Sequence, residues 1–246
     1  MNTADILIKN ALILTMDESF HVYEPGAIAI QGDTILAVGA ESKITGDYSA
    51  TEIVDAQGKV LLPGLINAHT HVPMTLLRGL ADDLRLDVWL LGYMMPVERE
   101  FVSTDFVHLG TQIACVELIR SGVTCFADMY YFEEHVARAT AEAGLRAVCG
   151  QTVLKFPAPD AQSYEESLAE AREFIQRWKN HPLIVPAVAP HAPYTCTPEI
   201  LQASAALAVE FDVPLLTHIA ETALEVENSR NENGMPVVPW VKKHNI

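Results

Sequence analysis

Val60-Leu61-Leu62-Pro63-Gly64-Leu65-Ile66-Asn67-Ala68-His69-Thr70-His71 is the stretch on which the fold turns. Its apolar run predicts a buried strand over residues 60–69. Residues two apart on a strand point to the same face. His69 and His71 therefore bring two imidazoles together at the strand's C-terminal end, where they can hold one metal ion between them. A His-x-His pair takes that meaning only from its context, and the rest of the chain supplies the context.

After residue 60 strands and helices alternate. Strands are predicted over 60–69, 123–130, 146–153, 184–190 and 214–220. A helix over 104–120 has Ser103 or Thr104 as N-cap and Gly122 just past its end. A second covers 132–143 and is stopped by Gly144. A third covers 163–179, with Ser163 and Glu166 at capping-box spacing. A fourth opens on Thr197 and Pro198. This alternation implies parallel βαβ units. The unbroken apolar run Leu183-Ile184-Val185-Pro186-Ala187-Val188-Ala189 suits a strand buried on both faces.

Polar residues fall at the strand ends: His69 and His71 on the first, Asp128 on the second, Gln151 on the third, His191 on the fourth, His218 and Glu221 on the fifth. In a (β/α)8 barrel the active site lies at the C-terminal ends of successive strands, whereas a doubly wound sheet gathers its site at one crossover. The fold class is therefore read as α/β, a (β/α)8 TIM barrel of which about five βα units occupy residues 61–246. Residues 1–60 read as a separate all-β portion. In it Ala27-Ile28-Ala29-Ile30 and Thr34-Ile35-Leu36-Ala37-Val38 face each other across Gln31-Gly32-Asp33, a hairpin signal.

Half of the 246 residues are hydrophobic and 20% are charged, which is a globular composition. The net charge of -16 argues against a nucleic-acid or anionic-membrane partner, since both select for basic patches, and fits a small-molecule substrate. No segment has 18 uninterrupted apolar residues, so no membrane span is expected. The N-terminus lacks the basic region of a signal peptide. Cys115, Cys125, Cys149 and Cys196 form no C-x-x-C pair and read as reduced thiols of a cytoplasmic protein.

Three imidazoles, from His69, His71 and His218, suit a borderline-soft ion such as Zn2+. A catalytic ion of this kind lowers the pKa of a bound water from near 16 to roughly 7. Glu221, three residues beyond His218, is placed to accept and return that water's proton. His191 sits in the rigid turn Pro190-His191-Ala192-Pro193 and is placed to hydrogen-bond substrate or developing charge. The H-x-E with P-C-x-x-C signature of the cytidine-type zinc deaminases is absent.

Pro63-Gly64-Leu65-Ile66-Asn67-Ala68-His69-Thr70-His71 resembles the opening metal motif of the amidohydrolase superfamily. Pro73-Met74-Thr75-Leu76-Leu77-Arg78-Gly79, Ala189-Pro190-His191-Ala192-Pro193-Tyr194-Thr195-Cys196 and Thr217-His218-Ile219-Ala220-Glu221-Thr222 narrow the resemblance. They point to the branch of the 5-methylthioadenosine/S-adenosylhomocysteine deaminases, with triazine chlorohydrolases and guanine deaminases as relatives. The resemblance implies a barrel beside a small β-sandwich to which residues 1–60 contribute, and a homo-oligomer. It implies one divalent ion, Zn2+ or alternatively Fe2+, held by His69, His71 and His218, with Glu221 transferring protons and His191 contacting substrate. Glu98 matches the residue that holds ribose hydroxyls, and Trp89 an aromatic lining the base or thioether pocket. Gln151 stands where related nucleoside deaminases carry an arginine for an amino-acid carboxylate.

The activity so implied is deamination of an adenine nucleoside or similar heterocycle by a metal-activated hydroxide. The alternatives are triazine-type chlorohydrolysis, guanine deamination, or a non-catalytic truncated fragment. A (β/α)8 barrel takes about 250 residues, and only 186 follow residue 60. The family's aspartate ligand after the eighth strand and histidine after the sixth have no counterpart here. The expectation is a chain truncated after the fifth strand, neither stably folded nor active alone, which a complementing chain with the remaining strands could complete.

Overall fold

A computed structural model describes residues 1–246, which divide into two compact units, Met1–Gly64 and Leu65–Ile246.

In the first unit β1 (Asn2–Leu14) lies between the antiparallel β2 (Val22–Gln31) and the parallel β4 (Tyr48–Asp55). The hairpin partner β3 (Thr34–Ala40) pairs with β2, Gln31 facing Thr34 across Gly32 and Asp33. β1 runs continuously through a bulge at Asn10, whose φ is 55°. The all-β reading missed α1 (Glu41–Asp47), which buries Ile44 against Ala4, Leu7, Ala27 and Ala29. Only one residue of this helix is buried, so it leaves almost no periodic trace in the sequence.

The predicted strand over 60–69 is two strands. β5 (Val60–Leu61) pairs with β1, and β6 (Leu65–Thr70) pairs with β7 (Val123–Tyr130) in the second unit. Pro63 offers no N–H to a ladder and Gly64 weakens one, so the apolar run breaks between them.

The second unit is a parallel sheet in the order β6-β7-β8-β9, with β8 at Arg146–Val153 and β9 at Ile184–Pro190. Neighbours in space are neighbours in sequence, which is barrel winding; a doubly wound sheet would reverse direction at a switch point. After β6 come a 3-10 turn (Val72–Leu77), α2 (Leu86–Trp89), a π-helical turn (Leu90–Met94) and α3 (Met95–Phe101). Then follow α4 (Thr104–Arg120) before β7, α5 (Glu133–Ala143) before β8, α6 (Tyr164–Trp178) before β9, and α7 (Pro198–Phe211) after it.

The predicted caps hold. Ser103, Ser163 and Thr197 each accept the N–H three residues on, and Gly144 ends α5 with φ 77°. Glu166 reaches back to the N–H of Gln162 at 2.6 Å. The fifth expected strand, 214–220, is reduced to a bridge between Leu215 and Val188. Its backbone still follows β9: Val188 N–H donates to Pro214 O, Leu216 N–H to Val188 O and His218 N–H to His191 O. A left-handed turn at Ala220 (φ 56°) then leads to α8 (Ala223–Asn233), followed by α9 (Val237–Lys243). No helix is long and apolar enough to cross a membrane.

Gly110 on α4 lets that helix lie against the turn after His71. A Cβ added there would meet Pro73 O at 2.5 Å and Pro73 Cα at 2.9 Å, both backbone atoms that cannot swing aside. Gly110→Ala is expected to destabilise the protein by about 1–3 kcal/mol as overpacking, although alanine favours a helix by about 1 kcal/mol. A urea midpoint at or above that of the parent would contradict this contact.

Candidate active site

His69 is the penultimate residue of β6, His71 is the first residue beyond its last position, and His218 lies in the segment that runs beside the end of β9. The three rings sit with centroids 5.1–5.2 Å apart, and one nitrogen from each falls within 4.8 Å of the others. Backbone carbonyls orient two of them. His71 Nδ1 lies 2.6 Å from Met129 O, and His218 Nδ1 lies 3.0 Å from His191 O. A carbonyl accepts only, so each Nδ1 must donate, and each Nε2 is left as a bare lone pair. Fixing the tautomer through the outer nitrogen is how proteins prepare imidazoles for a metal. Burial, followed by repulsion from a neighbouring imidazole, lowers the pKa of His218, and burial first of all lowers that of His71. Both rings are thereby kept neutral, as ligation requires. Three imidazole donors, two of them with tautomers fixed from behind, fit a borderline divalent ion.

A cavity opens beside these rings. His71, His191, His218 and Glu221 line one side of it. Leu86, Trp89, Leu90 and Met95 form an apolar wall, and Glu98 and Thr152 add polar groups. His191 is buried, and its pKa is pushed down to about 3 by that burial and by the nearby His218 and His71. Its Nδ1 lies 2.8 Å from Thr195 Oγ1. Glu221 Oε2 accepts a hydrogen bond from Tyr194 Oη at 2.9 Å, and its backbone N–H donates to Glu225 Oε2 at 2.7 Å. Burial and that contact push the Tyr194 hydroxyl up, so it remains a donor. Glu98 is buried, accepts from Tyr130 Oη at 2.8 Å, and is raised by burial above the usual carboxylate range.

Gln151 is brought elsewhere, contrary to the expectation that it meets substrate. It is buried, with Nε2 donating to Asp160 Oδ2 at 2.8 Å and Oε1 accepting the N–H of Glu133 at 3.3 Å. Side chains alternate along a strand, so on β8 it is Thr152 that reaches the cavity while Gln151 turns toward α5. Asp128, also at a strand end, lies beneath the histidine pair. Its Oδ1 accepts from Thr70 Oγ1 at 2.6 Å and from Val72 N–H at 2.7 Å.

Tyr194, Thr195 and Thr152 were not singled out in the sequence, although Tyr194-Thr195 follow His191 directly. A second missed signal is Thr222-Ala223-Leu224-Glu225, a capping box whose Thr222 caps α8 and whose Glu225 holds the backbone of Glu221.

The sequence profile of the amidohydrolase family matches residues 60–235. A 5-methylthioadenosine/S-adenosylhomocysteine deaminase of Syntrophobacter fumaroxidans is 46% identical over 231 residues, covering 94% of this chain and 52% of its own. The chain thus spans about half the length of the curated relatives it matches. Among solved structures, an adenosine deaminase from Xanthomonas campestris with bound zinc superposes with a TM-score of 0.95 at 36% identity, over 99% of this chain and 56% of that one. An atrazine chlorohydrolase from Arthrobacter aurescens complexed with zinc gives a TM-score of 0.85 at 23% identity, over 97% of this chain and 58% of that one, a likeness of fold alone. The matched segment carries every residue of the cavity's histidine cluster together with Glu221, and the chain belongs to the amidohydrolase family.

Proposed function

We propose that the protein is a metal-dependent aminohydrolase that removes the exocyclic amino group of an adenine nucleoside such as 5-methylthioadenosine, S-adenosylhomocysteine or adenosine. The observation that carries this reading is the cluster of His69, His71 and His218 at the edge of a cavity that His71, His218 and Glu221 line together with Leu86, Trp89, Leu90 and Met95. His69, His71 and His218 would hold the ion, Zn2+ ahead of Fe2+ because all three donors are imidazoles. When bound, a divalent ion acidifies a water molecule and so makes a nucleophile available near neutral pH.

The chain's own residues supply the rest. Glu221 moves the proton, first accepting it and then returning it to the departing amino group. Tyr194 Oη holds Glu221 Oε2, so its other oxygen is free to face the reacting atoms. Thr195 Oγ1 holds His191 Nδ1 and so sets the orientation in which the neutral ring turns Nε2 to substrate. Trp89, Leu86 and Leu90 exclude water from a flat heterocycle, and Glu98 faces the sugar hydroxyls. With Gln151 turned away, neither lysine nor arginine lines the cavity.

Ammonia release from the zinc-loaded active protein, measured with adenosine, 5-methylthioadenosine, S-adenosylhomocysteine and a chlorotriazine, tests the reading. Ammonia from a nucleoside is expected. Release of chloride from the triazine with no ammonia from any nucleoside would overturn it.

A further inference from the structure

Behind the histidine pair lies a second group of acids that the proposed chemistry does not use. Glu133 has no exposed surface, Asp128 is 1% exposed, and the two carboxyl groups lie close enough for each to act on the other. Asp128 Oδ2 and both Glu133 carboxyl oxygens are buried with no donor to satisfy them. Neither acid is paired with a lysine or arginine. Glu133 is faced by Asp128, Asp160 and the Cys149 thiol, and His69 lies on the other side of Asp128.

Two ionised carboxylates cannot share such a site, because burial and like charge both penalise the second charge. One proton between them resolves the conflict and fills Asp128 Oδ2 as well. Asp128 Oδ1 already accepts from Thr70 Oγ1 and Val72 N–H, which favours the charged form on Asp128 and leaves the proton on Glu133.

The backbone is arranged to deliver Glu133 to that spot. Phe132, just before α5, adopts a left-handed conformation (φ 54°) that a non-glycine residue rarely takes. Its N–H is held by Asp160 Oδ2 at 2.8 Å, and the next N–H, that of Glu133, by Gln151 Oε1. Gln151 and Asp160 are bonded to each other, so one bracket aims the first turn of α5 inward.

We propose that Glu133 is a positioning residue for the histidine pair: its carboxylic acid donates to Asp128 Oδ2 and so fixes Asp128 as the clamp on Thr70 and Val72, the two residues that flank His71. The strand end that carries Asp128 also supplies Met129 O to His71 Nδ1, so His71 is held at both its backbone neighbours and its ring. Glu133 would act on the metal centre without touching it. The inference rests on the metal reading only for its affinity readout.

The test compares the protein with E133Q, whose amide can still donate, and E133L, which cannot. Two readouts are taken. The infrared spectrum at neutral pH shows a protonated carboxylic acid in the parent that is missing in E133Q. Titration with Co2+ alone, followed by its visible absorption, gives an affinity for E133Q close to that of the parent and about 10-fold weaker for E133L, the low end of what outer partners of metal ligands contribute. Parent and E133Q with the same carboxylic-acid band would overturn the proposal, as would E133L binding Co2+ like the parent. If E133L does not fold, the infrared comparison with E133Q decides alone. If the parent itself binds no Co2+, the metal reading fails while the infrared comparison still judges the shared proton.

Discussion

Glu221→Gln is expected to lower kcat of the active protein by about 100- to 10,000-fold, the range of a positioned general acid–base, while its metal content stays that of the parent. The amide keeps the volume of the carboxylate and can still accept from Tyr194 Oη, so the cavity should not rearrange. What it loses is the ability to carry a proton from the nucleophile to the leaving group. The split between activity and metal content is the informative part. Stoichiometric metal with activity near the parent's would remove Glu221 from the chemistry. Loss of metal together with activity would make Glu221 a ligand.

His71→Ala and His218→Ala are expected to abolish tight metal binding, each weakening it by well over the roughly 10- to 100-fold that outer partners command. Each substitution removes one of the two nitrogen donors whose tautomers are already fixed, His71 by Met129 O and His218 by His191 O. Metal analysis after dialysis against a weak chelator checks this. Retention of a full equivalent by either variant would place the ion elsewhere.

Much of the second unit was legible in the sequence because local rules and burial agree there. α4 runs over Thr104–Arg120 as predicted, and β7, β8 and β9 keep their predicted bounds, since each is buried on both faces and reads as an apolar run. The gathering of His69, His71, His191, His218 and Glu221 was legible because barrel strands put their ends together, whatever separates them in sequence.

What was not legible depends on geometry that spacing does not encode. Whether Gln151 or Thr152 faces the cavity is a one-residue question of strand phase, and β8, buried on both faces toward this end with two adjacent polar residues, carries no alternation to settle it. The bulk of Trp89 in the cavity wall depends on the run of short helices over 86–101, whose π-helical turn has no sequence signature. Asp128 was noted at its strand end, but its role beneath the histidines follows from Thr70 and Val72, whose contacts arise only after folding. Glu133 looked like an ordinary first-turn acid of α5, the position where an exposed carboxylate is most common.

X-ray absorption at the zinc edge, on protein loaded with one equivalent of Zn2+, measures the donor set directly. Three imidazole nitrogens at roughly 2.0–2.1 Å, with the remaining position filled by oxygen, are expected from His69, His71 and His218. A sulfur shell near 2.3 Å, which would draw on the free cysteines, or fewer than three imidazoles, would contradict a metal centre built on these histidines.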